Sequence, residues 1–132
     1  MNNMLRAVID TNVIVSALIS PKGNASTILN MIADNRLTPV YSNKIFSEYQ
    51  TVLIRPRFGF SKTLIDDVLS LLVIYGLLVN PQTSGIPLPD ESDRIFYDVT
   101  VESGSLLITG NIRHFPLAPY ILLPSDFLKK YQ

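Results

Sequence analysis

The sequence predicts an α/β protein with three layers, a central and mainly parallel sheet of about five strands lying between helices. Three observations carry that expectation. The runs at 5–9, 37–41, 77–80, 105–109 and 120–123 are short and mostly apolar rather than alternating, as strands buried on both faces are. Segments with helical periodicity separate them, as parallel strands require. At 132 residues, 47% hydrophobic and 17% charged, the chain is long enough for a sizeable core and too apolar for disorder, so one domain over 1–132 is expected.

The first strand, 5–9, ends at Asp10. Thr11 and Asn12 are good N-cap types for a helix over 13–19, which stops before Pro21. A second helix is expected over 26–35, with Ile28, Leu29, Ile32 and Ala33 on one face, and a strand follows over 37–41. Ser42 or Asn43 then caps a helix reaching about Ile54, ended by Arg55 and Pro56. The next helix, 61–75, carries Leu64, Val68 and Leu72 beside Ile65, Leu69 and Val73, and ends at Gly76. After the strand at 77–80 comes a loop with Pro81, Gly85, Pro87 and Pro89. A helix over 91–103, strands at 105–109 and 120–123, and a terminal helix over 125–131 complete the chain.

Composition excludes several classes. Without cysteine there is neither a disulfide framework nor a thiolate metal site, which is compatible with a reducing compartment. The first apolar run, 7–19, is interrupted by Asp10, Thr11 and Asn12 and lacks a following small-residue cleavage site, so no secretory signal is read. The longest apolar stretch, 68–79, is well short of the roughly 20 residues a membrane span needs. A cytoplasmic protein without membrane contact is the expectation. Eleven acids balance eleven bases, so any contact with nucleic acid must use a local basic patch or metal ions.

In a parallel sheet the ligand crevice opens beyond the carboxyl ends of the strands, which singles out Asp10 and the turn Thr109-Gly110-Asn111. Asp10 can be an N-cap acid for the helix that follows, or a functional carboxylate. Glu48 falls on the apolar stripe of Ile45 and Val52, where an unpaired carboxylate needs a cation, a hydrogen-bond set or an opening onto a cleft. Asp90, Glu91, Asp93 and Asp98 form a third acidic group. Acids in a first helical turn stabilise the macrodipole, so at least one of these has a capping role. Asp98 lies about 140° around a helix from Asp93 and can instead pair with Arg94. Converging carboxylates stay ionised together only near a compensating cation, and their hard oxygens suit Mg²⁺ or Mn²⁺. Such ions can activate a water against a phosphodiester without a nucleophilic side chain.

These residues resemble the PIN-domain family, over nearly the whole sequence, and particularly its bacterial and archaeal toxin components of toxin–antitoxin pairs. Val8-Ile9-Asp10-Thr11-Asn12-Val13 is similar to the family's first-strand motif, whose aspartate is a metal ligand. Ser47-Glu48-Tyr49 stands where the family places its glutamate, and the stretch from Pro89 to Phe96 resembles the loop and helix start that supply the third acid, best matched by Asp93. Asp98 matches a further acid of this branch. Leu107-Ile108-Thr109-Gly110-Asn111, followed by Arg113-His114-Phe115-Pro116, is similar to the closing motif. There Asn111 replaces an aspartate of many members, which puts a second tightly held metal in doubt.

The resemblance implies a Mg²⁺- or Mn²⁺-dependent endoribonuclease cutting single-stranded RNA, a homodimer and an antitoxin partner. Its catalytic residues would be Asp10, Glu48 and Asp93, and its metal ligands those three and Asp98. Asn12, Thr109 and Asn111 would support the site. Arg113 and His114 are the expected RNA contacts, with Arg55, Arg57 and Lys62 around Phe58 and Phe60 a more distant candidate set. A haloacid-dehalogenase-type phosphatase is set aside because Asn12 occupies the place of its second aspartate. A PIN fold that only binds RNA or an antitoxin remains the alternative, and Asn111 is the reason.

Overall fold

The structure, a computed structural model, describes residues 5–83 and 85–132. Five strands, β1 (Arg6–Ile9), β2 (Thr38–Tyr41), β3 (Leu77–Leu78), β4 (Leu106–Ile108) and β5 (Ile121–Leu122), form one sheet in the order β3-β2-β1-β4-β5. Every pairing is parallel, so the expected mainly parallel sheet is wholly so. Six helices cover it: α1 (Thr11–Ile19), α2 (Asn24–Ala33), α3 (Asn43–Leu53), α4 (Lys62–Tyr75), α5 (Arg94–Ser103) and α6 (Pro124–Tyr131). Helix α5 lies across β1, β2 and β4, and α2 packs against α1, α4 and α6. The result is the three-layer α/β/α architecture that the run pattern predicts.

The sheet is built outward from β1, whose Ala7, Val8 and Ile9 are fully buried, and the chain places β2 and β3 on one side before crossing to β4 and β5 on the other. That reversal falls between β1 and β4, where crevices open in such sheets. Ile9 pairs with Ile108, so the next residues, Asp10 and Thr109, emerge side by side at the carboxyl edge. The Asp10 amide donates to the Ile108 carbonyl at 3.0 Å and carries the ladder one residue beyond the strand.

Element boundaries shift where a side chain has other employment. Helix α1 starts at Thr11, earlier than expected, with Asp10 in the N-cap position but making no side-chain cap. Helix α2 begins at Asn24 rather than residue 26. Ser42, not Asn43, caps α3, its Oγ accepting from the Ile45 amide at 3.0 Å. Strand β3 is two residues long because Asn80 turns away and accepts from the Asn43 amide at 2.9 Å. The helix expected over 91–103 is split. Asp90 Oδ1 accepts from the Ser92 amide, which tightens Glu91–Asp93 into a 3₁₀ turn, and α5 starts only at Arg94. Helix α5 ends at Gly104 in the left-handed region (φ 63°), where the Ser105 amide reaches the Thr100 carbonyl. No helix among the described residues is long and apolar enough to cross a membrane.

Candidate active site

A cleft of about 410 Å³ opens at the carboxyl edge of β1 and β4, lined in part by Asp10, Glu48, Asp90, Asp93, Asn111 and His114. Each acid expected to carry chemistry arrives on a different element. Asp10 follows β1, Glu48 projects from α3, and Asp93 ends the 3₁₀ turn that feeds α5. These three carboxylates are therefore gathered from distant parts of the chain into one place.

Asp10 is the most enclosed of them, at 5% exposure. Its Oδ2 accepts from Thr109 Oγ1 at 2.8 Å, and that hydroxyl in turn accepts from the Asn111 amide at 3.0 Å. The side chain bonds across the sheet to Thr109, while the amides of Asn12 and Thr11 at the start of its own helix also favour its ionised form. Asn12 Oδ1 accepts from the Gly110 amide at 3.0 Å and ties the start of α1 to the same turn; a side chain at 110 would press on it. Beneath, the buried Tyr49 hydroxyl donates to the Ile9 carbonyl and braces the strand end that carries Asp10. Thr109 thus contacts Asp10 directly, and Asn12 and the Asn111 amide contact the turn at 109–110.

The electrostatics are those of crowded acids. Burial raises the Asp10 carboxyl above its ordinary range; the Thr109 hydrogen bond opposes that, and the charge of Asp93 adds to it. Burial likewise raises Asp93, opposed by His114 and reinforced by the charges of Asp90 and Glu48. His114 Nδ1 lies 3.0 Å from Asp93 Oδ2. Burial, first of all, and then the charge of Asp10 lift the Tyr49 hydroxyl well above its usual value, so it stays a donor.

Asp90, His114 and Asp93 offer ligand atoms within 4.8 Å of one another, so this triple could hold a metal ion. From its place in the sequence Asp90 belongs to the third acidic group, with capping as its ordinary role. It does cap, accepting from Ser92 N at 2.9 Å and Ser92 Oγ at 2.7 Å, but it also faces the cleft. The Thr11 hydroxyl is buried and has no hydrogen-bond partner among the described residues. Hard carboxylate oxygens and one imidazole fit a divalent cation.

Two expected residues lie elsewhere. Asp98 is buried and sits 3.6 Å from Arg94 Nη1, in the wall of a second cavity of about 230 Å³ that Arg94, Lys44 and Asn80 also line. Arg94 is also gripped by Glu91 and by the Ile86 carbonyl. The structure does not bring Asp98 to Asp10, Glu48 and Asp93, because five residues past Asp93 the chain has turned away around α5. Arg113 does not line the cleft, whereas Arg55, Arg57 and Phe58 do.

A profile of the PIN domain matches residues 6–113, which takes in every strand except β5 and every cleft residue except His114. The chain belongs to the PIN-domain family. It is also similar to an uncharacterized protein of Methanocaldococcus jannaschii, 31% identical over 110 residues that cover 81% of this chain and 71% of the relative. PIN domains are in general metal-dependent nucleases, and a cluster of acids at the carboxyl edge of a parallel sheet suits that chemistry.

If Asp10 holds a metal, its hydrogen-bonded partner sets both its orientation and its charge. Replacing Thr109 with Val removes that donor at nearly constant volume, and is expected to weaken Mn²⁺ binding about 10- to 100-fold by calorimetric titration. Thr109→Ser should restore it. A Val variant that binds Mn²⁺ like the parent would show that the hydroxyl serves only the turn.

Proposed function

We propose that this PIN domain is an endoribonuclease that hydrolyses single-stranded RNA with Mg²⁺ or Mn²⁺, Asp10, Glu48 and Asp93 being its catalytic carboxylates. The observation that supports it most is that these three acids share one cleft while neither Asp10 nor Glu48 has a Lys or Arg ion pair among the described residues. A protein that gained nothing from such repulsion would lose stability by keeping it.

In this reading Asp10, Glu48 and Asp93 hold the cation, and Asp93 also belongs to the triple with Asp90 and His114 whose ligand atoms lie within 4.8 Å of one another. A bound divalent ion supplies an acidified water and charge stabilisation at phosphate. The chain's own part is orientation. Thr109 fixes one oxygen of Asp10, His114 fixes one oxygen of Asp93, and the Asn12–Gly110 bond holds the two strand ends together. Asp98 acts at a distance, its pair with Arg94 steadying the first turn of α5 behind Asp93. Asn111 brings a neutral amide to the cleft, which favours one firmly held ion over two.

Within the same reading the protein is the toxin of a type II toxin–antitoxin pair, working as a cytoplasmic homodimer. Exposed Val73, Ile74, Leu77 and Leu78, at the end of α4 and along edge strand β3, are apolar surface that a protein partner would cover.

The test is a structured RNA pool incubated with EDTA, Mg²⁺ or Mn²⁺, alongside an Asp10→Asn, Asp93→Asn double variant. Cleavage is expected with either metal and in neither control. Folded protein that cuts under neither metal, yet still binds RNA, would replace the enzyme with a binding module.

A further inference from the structure

The acidic cleft has a second wall of opposite character. Helix α3 ends at Leu53, and Pro56–Phe58 form a 3₁₀ turn closed by Gly59 in the left-handed region (φ 64°). This corner places Arg55, Arg57 and Phe58 in the cleft. Arg55 and Arg57 are the only permanently cationic side chains among the described residues that line it, and both are exposed. Neither forms an ion pair among the described residues, although four carboxylates line the same cleft. Two guanidiniums and four acids thus stay separate where Coulomb attraction favours closing on one another. Each set is left open to a ligand carrying the opposite charge.

The aromatic side chains of the corner are ordered as well. The Phe58 and Phe60 rings are stacked, 5.4 Å between centroids and 10° from parallel, and the Arg57 guanidinium lies 4.8 Å from the Phe58 centroid. Both rings are partly exposed. A planar cation laid on a ring at a cleft is a surface on which an unpaired base can continue the stack. Bases within a duplex are already stacked and cannot use it.

We propose that Arg55, Arg57 and Phe58 form the substrate-positioning shelf of this nuclease, gripping phosphates of a single strand and stacking one of its bases so that the neighbouring phosphodiester reaches the carboxylates. The inference rests on the ribonuclease reading for the purpose of the shelf, but not for its contacts. Net charge is zero over the whole chain, so attraction to phosphate has to come from local cations, and these two guanidiniums are the ones lining the cleft. The arginines are positioning residues, and their removal acts on binding rather than on the chemical step.

The experiment measures binding of a fluorescein-labelled single-stranded RNA by anisotropy across a salt series, in the Asp10→Asn background with Mg²⁺ so that cleavage is slow against the measurement. Arg55→Ala with Arg57→Ala should lessen the slope of log affinity against log salt by about 1.4, since each phosphate that a guanidinium neutralises on a single strand contributes about 0.7. Phe58→Leu should weaken binding about five- to a hundredfold, with Phe58→Trp close to the parent. Duplex RNA of the same sequence should compete poorly. In the otherwise wild-type enzyme the double arginine variant should raise KM with kcat little changed. Circular dichroism and melting establish that each variant is folded. An unchanged salt slope, Leu and Trp variants that bind alike, or no binding of single-stranded RNA by the parent would each overturn the shelf. Binding that follows these expectations in a protein that never cuts RNA would keep the shelf and sink the nuclease.

Discussion

Asp10→Asn should lower metal-dependent cleavage about a thousandfold and, at the same time, raise the melting temperature of the metal-free protein. The first effect follows from the position of the carboxylate, where it is both enclosed and oriented. Loss of a mere supporting partner at a metal site costs about 10- to 100-fold, and loss of the ligand itself must exceed that. The second effect follows from its environment. Asp10 is a nearly buried anion facing the charge of Asp93, and only the hydroxyl of Thr109 and the amides of Asn12 and Thr11 favour its ionised form. An asparagine keeps the shape and can still accept from Thr109 Oγ1 through its carbonyl oxygen, but brings no charge to desolvate or repel. Relief of this kind at a functional site is commonly about 0.5–2 kcal/mol, or roughly 2–8 °C in a domain of this size. Differential scanning calorimetry in EDTA, beside a cleavage assay, reads both. A variant that loses activity together with stability would mean that Asp10 is a structural acid after all.

The opposite signs matter because they separate a functional carboxylate from a structural one without reference to any relative. An acid that stabilises the fold through a cap or an ion pair is destabilising to remove. The exposed Lys62–Asp66 pair on α4, 2.8 Å apart, is of that ordinary kind and its loss should hardly be felt.

Most of the fold is legible in the sequence because its signals are local. Runs such as Ala7-Val8-Ile9 have no polar face to expose, and β1 does lie at the centre of the sheet. Asp10 and the Thr109-Gly110-Asn111 turn pair on sequence grounds because both follow buried strands of a parallel sheet; the Ile9–Ile108 register then makes them neighbours. What the pattern hides is set by side chains that leave it. Nothing in the spacing of Asp90 says that it both closes a 3₁₀ turn and faces the cleft. Whether Asp98 or Asp90 accompanies Asp93 is decided by that turn's delaying the start of α5 to Arg94.

The arginine shelf is legible in the sequence only as the more distant candidate set, behind Arg113 and His114. Glu48 and Val52, four residues apart on α3, and Arg55 just beyond the helix all line the cleft. An acid, an arginine and two phenylalanines so close in sequence are readable as one surface. Pro56 does mark the end of the helix, as expected: α3 stops at Leu53, Arg55 is extended, and a separate 3₁₀ turn follows over Pro56–Phe58. Arg113 is the more obvious candidate from its closeness in sequence to Asn111, yet its neighbour His114 is the one turned inward, to Asp93.

The crowded carboxylates also determine how the protein should answer to metal and pH together. Asp10 and Asp93 both have carboxyls raised above the ordinary value of 3.8, burial being the largest cause in each. Between that value and the raised one, the native state holds protons that the unfolded chain has already released. Stability of the metal-free protein must therefore fall as pH rises through this window, the reverse of what a salt-bridged aspartate gives. A divalent ion binds only the ionised site, so its contribution grows over the same window. At about a hundredfold excess over its dissociation constant the ion should add about 2.7 kcal/mol at neutral pH, and much less near pH 4. Melting curves with EDTA and with Mn²⁺ from acid to neutral pH should diverge as pH rises, and Asp10→Asn should bring them back together. Parallel curves, or metal stabilisation undiminished in acid, would mean that these carboxylates do not hold the ion.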